Sequence, residues 1–440
     1  MSTRRLQLIQ RREAIGHTQE SLAEALQVDR TTIGRWESGR GAPQPWMRPK
    51  LARALKVSAE QLATLLATPP EALEDASRSG SKGAGRDISP IRDHNAYQGE
   101  DIAMAVAADS AESALFLRFA STSNVDDILL EQLDADIAKL AADYVSRPVS
   151  ELFHGIGALR QGVFGLLQGR QYPCQTTHLY LQAGRLCGLA THIALDLGQY
   201  DAAATHSRTA WRCAESAGHN GLRAWIRSVQ SLIAYWQQNY RQAAELARSG
   251  LPYADGGTIA ARLLSLEARA TAALGDSVNA LRAVETAMSA RSAVTDGLDL
   301  PGVFTFPEAK QWAYAGTALL ALRNRTHANR AIEASSMAIS LYEAAPQHEQ
   351  SSGDLMAARL DLANAYLTLG DIDGVQENLA VVLATAPNRR TASISRRLHA
   401  LSTCLAEPAY SRSPYVLSLR GDIREACSRP ALTNPPELPQ

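Results

Sequence analysis

Rings are scarce in this sequence: phenylalanine, tryptophan and tyrosine together make up 6% of it, so any core must be filled mostly by aliphatic side chains. Cysteine is scarcer still. The five, at 174, 187, 213, 404 and 427, are odd in number, widely scattered and form no CxxC, which supports neither a disulfide framework nor a zinc ribbon. No apolar run approaches the roughly 18 residues of a membrane span, and MSTRRLQLIQRREA lacks the apolar stretch of a secretory signal. The expectation is a cytoplasmic protein with no membrane partner. Catalytic signatures are missing too, with no HExxH and no nucleophile elbow, and GSKGAG fits neither phosphate-loop pattern. His178, His192, His206 and His219 recur about every fourteen residues near Cys174, Cys187 and Cys213, but without the close i, i+3 or i+4 pairs of a zinc site. No catalytic residue, no cofactor and no metal is expected.

What is present is length, alanine and an uneven charge. The 440 residues are 45% apolar and 20% charged, enough for two or three domains with a sizeable core. Net charge is −1, yet residues 1–66 hold eleven Lys and Arg against six acids. A basic head on a mildly acidic body suits a chain of which one end approaches phosphate.

Within that head, TQESLAEALQVDRTTIGRWESG (18–39) reads as two short helices joined by a tight turn. Thr18 caps the first, with Leu22, Ala23 and Leu26 at helical spacing. Val28 fills the turn, Asp29 caps the second helix, Ile33 and Trp36 lie on its inner face, and Ser38 and Gly39 close it. The opposite face carries Arg30, Thr31, Thr32 and Arg35, cationic or small hydroxylated side chains suited to a DNA major groove. A preceding helix is expected over 3–14, with Leu6 and Ile9 inward and Arg4, Arg5 and Arg11 outward. A helix over 46–55 should follow, packing Trp46, Leu51 and Leu55, and then a last one capped by Ser58 with Gln61 at the capping-box offset.

These motifs resemble the XRE or phage-repressor type of helix-turn-helix over residues 5–66. The resemblance implies that Gln19 braces a phosphate and the recognition helix, that Arg30, Thr31, Thr32 and Arg35 face bases or phosphates, and that Arg12 and Glu37 form a buried ion pair. Arg40, in the loop beyond, adds a phosphate contact. Base-edge pairs discriminate by about 1–3 kcal/mol each, so specific recognition of an operator calls for two half-sites and hence a homodimer.

From Pro69 to about Asp109 periodicity is lost in a stretch rich in Ser, Gly, Asp and Pro, read as a flexible linker. The division is therefore 1–67 head, 68–108 linker, 109–428 helical body and 429–440 disordered tail, all-α throughout. Amphipathic helices are expected over 128–145 and 148–169. Self-similarity follows: 189–211, 229–251, 266–288 and 359–387 each read as helix, turn (LGQY, QQNY, LGDS, LGDI) and second helix, with Ala203, Ala243 and Ala280 allowing close approach. Residues 313–339 are a degenerate copy.

The plan resembles the tetratricopeptide repeat, although turn-to-turn spacings exceed the usual ~34 residues. The resemblance implies a solenoid whose first helices line a concave, ligand-holding surface. It places Arg185, His192, Trp225, Tyr235, Arg262, Arg269, Lys310, Tyr314, Asp361 and Asn364 on that side. Asn364, a polar amide in an apolar helix, either serves a ligand or bonds a neighbouring turn. LPGVFTFPEAK (300–310) either plugs the core with Phe304 and Phe306 or closes over a ligand. Head and body together resemble bacterial regulators that include the peptide-pheromone receptors and actinomycete proteins of similar plan, in which ligand in the solenoid changes how two heads fit an operator. The effector would be a peptide or a small molecule. The rival reading is an interaction scaffold whose head does not bind specific DNA.

Overall fold

The computed structural model describes residues 5–26, 28–38, 41–43, 47–66, 99–294, 299–410 and 413–428, and the described residues form helices without strands. The chain divides into two units, Met1–Ala96 and Tyr97–Gln440. Arg40, Trp46, most of the expected linker and the expected tail lie outside the described residues.

The first unit holds α1 (Leu6–Ala14), α2 (Gln19–Leu26), α3 (Arg30–Glu37), α4 (Arg48–Ala54) and α5 (Ala59–Leu66). Local chemistry sets their ends. Thr18 and Ser21 bond each other's backbone N–H through their hydroxyls, and the Asp29 carboxylate accepts from the Thr31 N–H at 2.8 Å. Ser58 and Gln61 form the reciprocal capping box that starts α5. Leu8, Leu22, Ile33, Trp36, Leu51, Leu55 and Leu62 make the core of the unit.

Two arginines expected to face outward instead work inside. Arg5 is 9% exposed and donates to the carbonyls of Trp36 (2.9 Å) and Gly41 (2.6 Å). Arg11 donates to the carbonyls of Leu55 and Lys56, where α4 ends and its last acceptors would otherwise lack donors. Both guanidiniums replace water at helix termini, which period counting along one helix does not show.

The second unit opens on α6 (Gly99–Ala120), a helix where the linker was expected to continue to residue 108. Alanine and methionine favour helix here, and apolar residues lie all around it, so no amphipathic stripe announces it. Every described side chain of α6 is exposed, Met104, Leu115, Phe116 and Leu117 by about two-thirds each. Its C-terminal end is tied down: the Arg170 guanidinium lies 3.8 Å over the Phe119 ring.

Next come α7 (Asp127–Ser146), α8 (Val149–Leu167), α9 (Pro173–Asp196), α10 (Tyr200–Ser216), α11 (Asn220–Trp236), α12 (Tyr240–Gly250), α13 (Ile259–Ala273) and α14 (Ser277–Ser292). They continue as α15 (Glu308–Ala321), α16 (Arg325–Ala344), α17 (Ser352–Leu369), α18 (Ile372–Ala384), α19 (Ala392–Cys404) and α20 (Pro414–Ser428). Sequential helices pack as pairs, and α9, α11, α13, α15, α17 and α19 also touch one another in succession, an inner layer consistent with a solenoid. Small residues permit the close approach: Ala203, Ala243 and Ala280 are buried, and a Cβ on Gly188 would overlap the Trp225 ring.

The inner layer returns on itself, since α19 touches α9. Arg396 donates to the Trp236 carbonyl and stacks over Tyr200 at 4.8 Å, and Arg389 donates to the Ser146 carbonyl at 3.0 Å. The segment 300–307 fills the interior. Phe306 is fully buried against Tyr314, and Phe304 packs 4.4 Å from the Trp225 ring, so both rings plug the core. Gly302 has φ +68, and a Cβ there would overlap the Ala141 carbonyl, so this turn requires glycine.

Candidate functional site

Two places are candidates for a functional site, one in each unit. In the first unit, α2 and α3 are locked by Glu37, which is 4% exposed and bonds Arg12 Nε and Gln19 Nε2 at 2.6 Å each. The Arg12–Glu37 pair and the bracing of α3 by Gln19 are thus in place. With Ile33, Trp36 and Glu37 turned inward, the opposite face of α3 looks out. Arg30, Thr31 and Arg35 are exposed and Thr32 is half-buried. Arg30 Nε pairs with Glu20 at 2.6 Å, and Thr31 donates its hydroxyl to Asp29 at 2.7 Å. The Arg30–Glu20 pair is exposed on both sides, so it holds the arginine weakly and phosphate or a guanine edge can replace the carboxylate.

In the second unit, a cavity of about 810 Å³ lies among the inner-layer helices, α7 and the segment 301–307. That volume falls in the range of small-molecule sites. Of the residues placed on the concave side by repeat analogy, His192, Arg269, Lys310 and Tyr314 line it. The others serve the scaffold. Arg185 pairs with Asp134 at 3.3 Å, and Trp225 donates Nε1 to the Val303 carbonyl. Tyr235 stacks under Arg269, and Asp361 pairs with Arg397 and accepts from the Thr317 hydroxyl. Asn364 gives its amide to the Leu360 carbonyl one turn back, the local bond that was the alternative to a ligand role. The four histidines have separate partners rather than a shared centre: His178 with Asp134, His192 with Arg262, His206 with Arg160, and His219 capping α11.

Repeat analogy missed most of the lining. Tyr144 and Trp236 line the cavity, as do Asp196, Tyr342, Asp354 and Arg397. Tyr144 comes from α7, which precedes the repeats, and Asp196 and Trp236 stand at the last turns of their helices, where a repeat template is least defined.

The cavity's electrostatics follow from burial. Lys310 and Asp354 pair at 3.0 Å; burial works against both charges, but the pairing prevails and holds the lysine pKa above and the aspartate pKa below their ordinary values. Burial pushes Asp196 up to about 6, opposed by the 2.6 Å bond from the Tyr144 hydroxyl and by Lys310. Burial likewise holds His192 well below its usual range, helped by the positive charges of Arg262 and Lys310. His192 is therefore neutral. Since arginine only donates, His192 Nε2 accepts from Arg262 at 3.3 Å and the ring proton sits on Nδ1.

Comparison with known proteins bears on the first unit. A family model described as Helix-turn-helix matches residues 8–62, the span from α1 to α5. No curated protein matches the chain. The match supports a DNA-binding regulator with an XRE-type head. No described helix is long and apolar enough to cross a membrane.

Proposed function

We propose that this protein is a sequence-specific transcriptional regulator that binds its operator as a homodimer and is set by an effector held in its helical body. The observation that carries the reading is α3: its inner face is fixed by Ile33, Trp36 and Glu37, while Arg30, Thr31 and Arg35 stand exposed beside it. A rigid helix with an outward cationic face is what major-groove readout uses, and each bidentate arginine–guanine pair discriminates by about 1–3 kcal/mol. Pairing of two chains is supported by α6, whose apolar side chains Met104, Leu115, Phe116 and Leu117 stand exposed. Effector binding is supported by the cavity and its mixed aromatic and charged lining.

The test is a titration of the full chain on its operator, found by genome-wide mapping of bound DNA, and on random duplex of equal length. Arg30→Ala and Arg35→Ala should each weaken operator binding by about 1–3 kcal/mol while changing random-duplex binding far less. Equal losses on both duplexes would remove base readout from the account.

A further inference from the structure

Arg269 is 2% exposed and lines the cavity, yet no carboxylate among the described residues lies within ion-pairing distance of it. Its guanidinium lies between two phenol rings, 4.4 Å from the centroid of Tyr235 and 4.3 Å from that of Tyr314, and its Nε donates to nothing. Aromatic faces stabilise a cation, and the Tyr235 hydroxyl adds a hydrogen bond, but the Nε–H on the guanidinium edge stays unused. Two turns earlier on α13, Arg262 is 1% exposed and also lacks a carboxylate; it gives its N–H groups to the Val303 carbonyl at 2.9 Å and to His192. Buried guanidiniums are costly unless paired, and here neither has an acid within ion-pairing distance, with Asp361 acting on Arg269 and Asp354 and Asp299 on Arg262 only from further away.

The other charges of the cavity narrow what completes the site. Lys310 is committed to Asp354, Arg397 to Asp361 and Arg147 to Asp143 and Glu151, while Arg389 and Arg390 give N–H groups to backbone carbonyls. Asp196, Asp354 and Glu308 also line the wall and would repel a second negative charge on a guest. Arg269 is thus the deeply buried lining cation, among the described residues, whose guanidinium edge has neither an acid within ion-pairing distance nor a backbone carbonyl, and one anion on a guest would complete it. Val145, Leu195, Leu232 and Trp236 supply an apolar wall for the rest of such a molecule.

We propose that the cavity is a receptor site for an organic monocarboxylic acid with an apolar or aromatic body, its carboxylate held edge-on by the Arg269 guanidinium. The proposal rests on the effector reading above and gives that effector its chemical class. A carboxylate fits the planar guanidinium fork with two parallel N–H···O bonds, and low dielectric strengthens them. Committed ion pairs elsewhere on the wall keep their partners when the acid binds.

The experiment uses the full chain without DNA. Decanoate and indole-3-butyrate, each with its primary amide, and phenyl phosphate are titrated by calorimetry and by thermal shift. At least one acid should bind and raise the unfolding midpoint, about tenfold or more tightly than its amide and than phenyl phosphate. Arg269→Gln should erase the acid-over-amide preference while keeping the helical circular dichroism of the parent. Because that preference is read in the unmodified chain, a variant that fails to fold does not decide the matter. Equal affinity for acid and amide, no binding of either acid, or preference for the phosphate would overturn the proposal. Operator binding is measured separately: acid binding by a chain that ignores its operator would sink the regulator reading alone, and operator binding without acid preference would sink only the ligand class.

Discussion

Asp196 shows what the interior asks of single residues. Its carboxyl titrates at about 6 when folded, against an ordinary 3.8, so between those values the folded chain keeps a proton that the unfolded chain has released. Stability from this group therefore falls as pH rises from about 4 to about 6, and the penalty stays in full above that. Asp196→Asn keeps an acceptor for the Tyr144 hydroxyl and removes the charge. It should raise unfolding free energy by about 1–3 kcal/mol at pH 7.5 and leave it unchanged below pH 4, as read by urea unfolding at the two pH values. Other residues differ in how visible they are beforehand. Gln19, Arg12 and Glu37 were legible only through the resemblance to the XRE-type helix-turn-helix, which implies their roles. Asp196 was not, since its partner Tyr144 lies 52 positions away and only the packed fold joins them. Arg5 and Arg11 escaped for the same reason, their acceptors lying more than thirty residues downstream.

Among the elements, α6 departs most from sequence expectation. The helical pairs of the body were legible from turn punctuation and small residues, and Phe304 and Phe306 from their interruption of the helical pattern. On α6 the apolar residues encircle the helix, so composition rather than period had to identify it, and the neighbouring polar stretch diluted that signal. Met104, Ala108, Ala111 and Leu115 follow a four, three, four spacing that places them along one face, with the alanines allowing a second helix to come close. If this face joins two chains, sedimentation velocity of the full protein gives a dimer, and Met104→Glu combined with Leu115→Glu gives a monomer with unchanged helical content. A variant that remains dimeric would move the joint elsewhere on the body.

For the whole molecule, the uneven distribution of charge governs behaviour in salt. A surplus of five positive charges within residues 1–66 sits on a chain of net charge −1, so neutralising phosphate falls to one end. Association with duplex should weaken on a log–log plot against salt with a slope of about −0.9 for each phosphate neutralised, nearly alike for operator and random sequence. Fluorescence anisotropy across a salt series measures it, and a flat dependence would favour the scaffold reading instead. The two-unit organisation was visible from the charge division and the repeats. The cavity was not, because a repeat template describes neighbours along the array and is silent on whether its ends meet.

That meeting of α19 with α9 has a kinetic corollary. It is fastened partly by arginine side chains on backbone carbonyls, Arg396 on Trp236 and Arg389 on Ser146, rather than by a continuous greasy seam. Such a clasp exchanges readily for solvent, so it can part without melting any helix on either side. Arg389 also lines the cavity, so such a parting would loosen one of its walls and let its shape yield to what it holds.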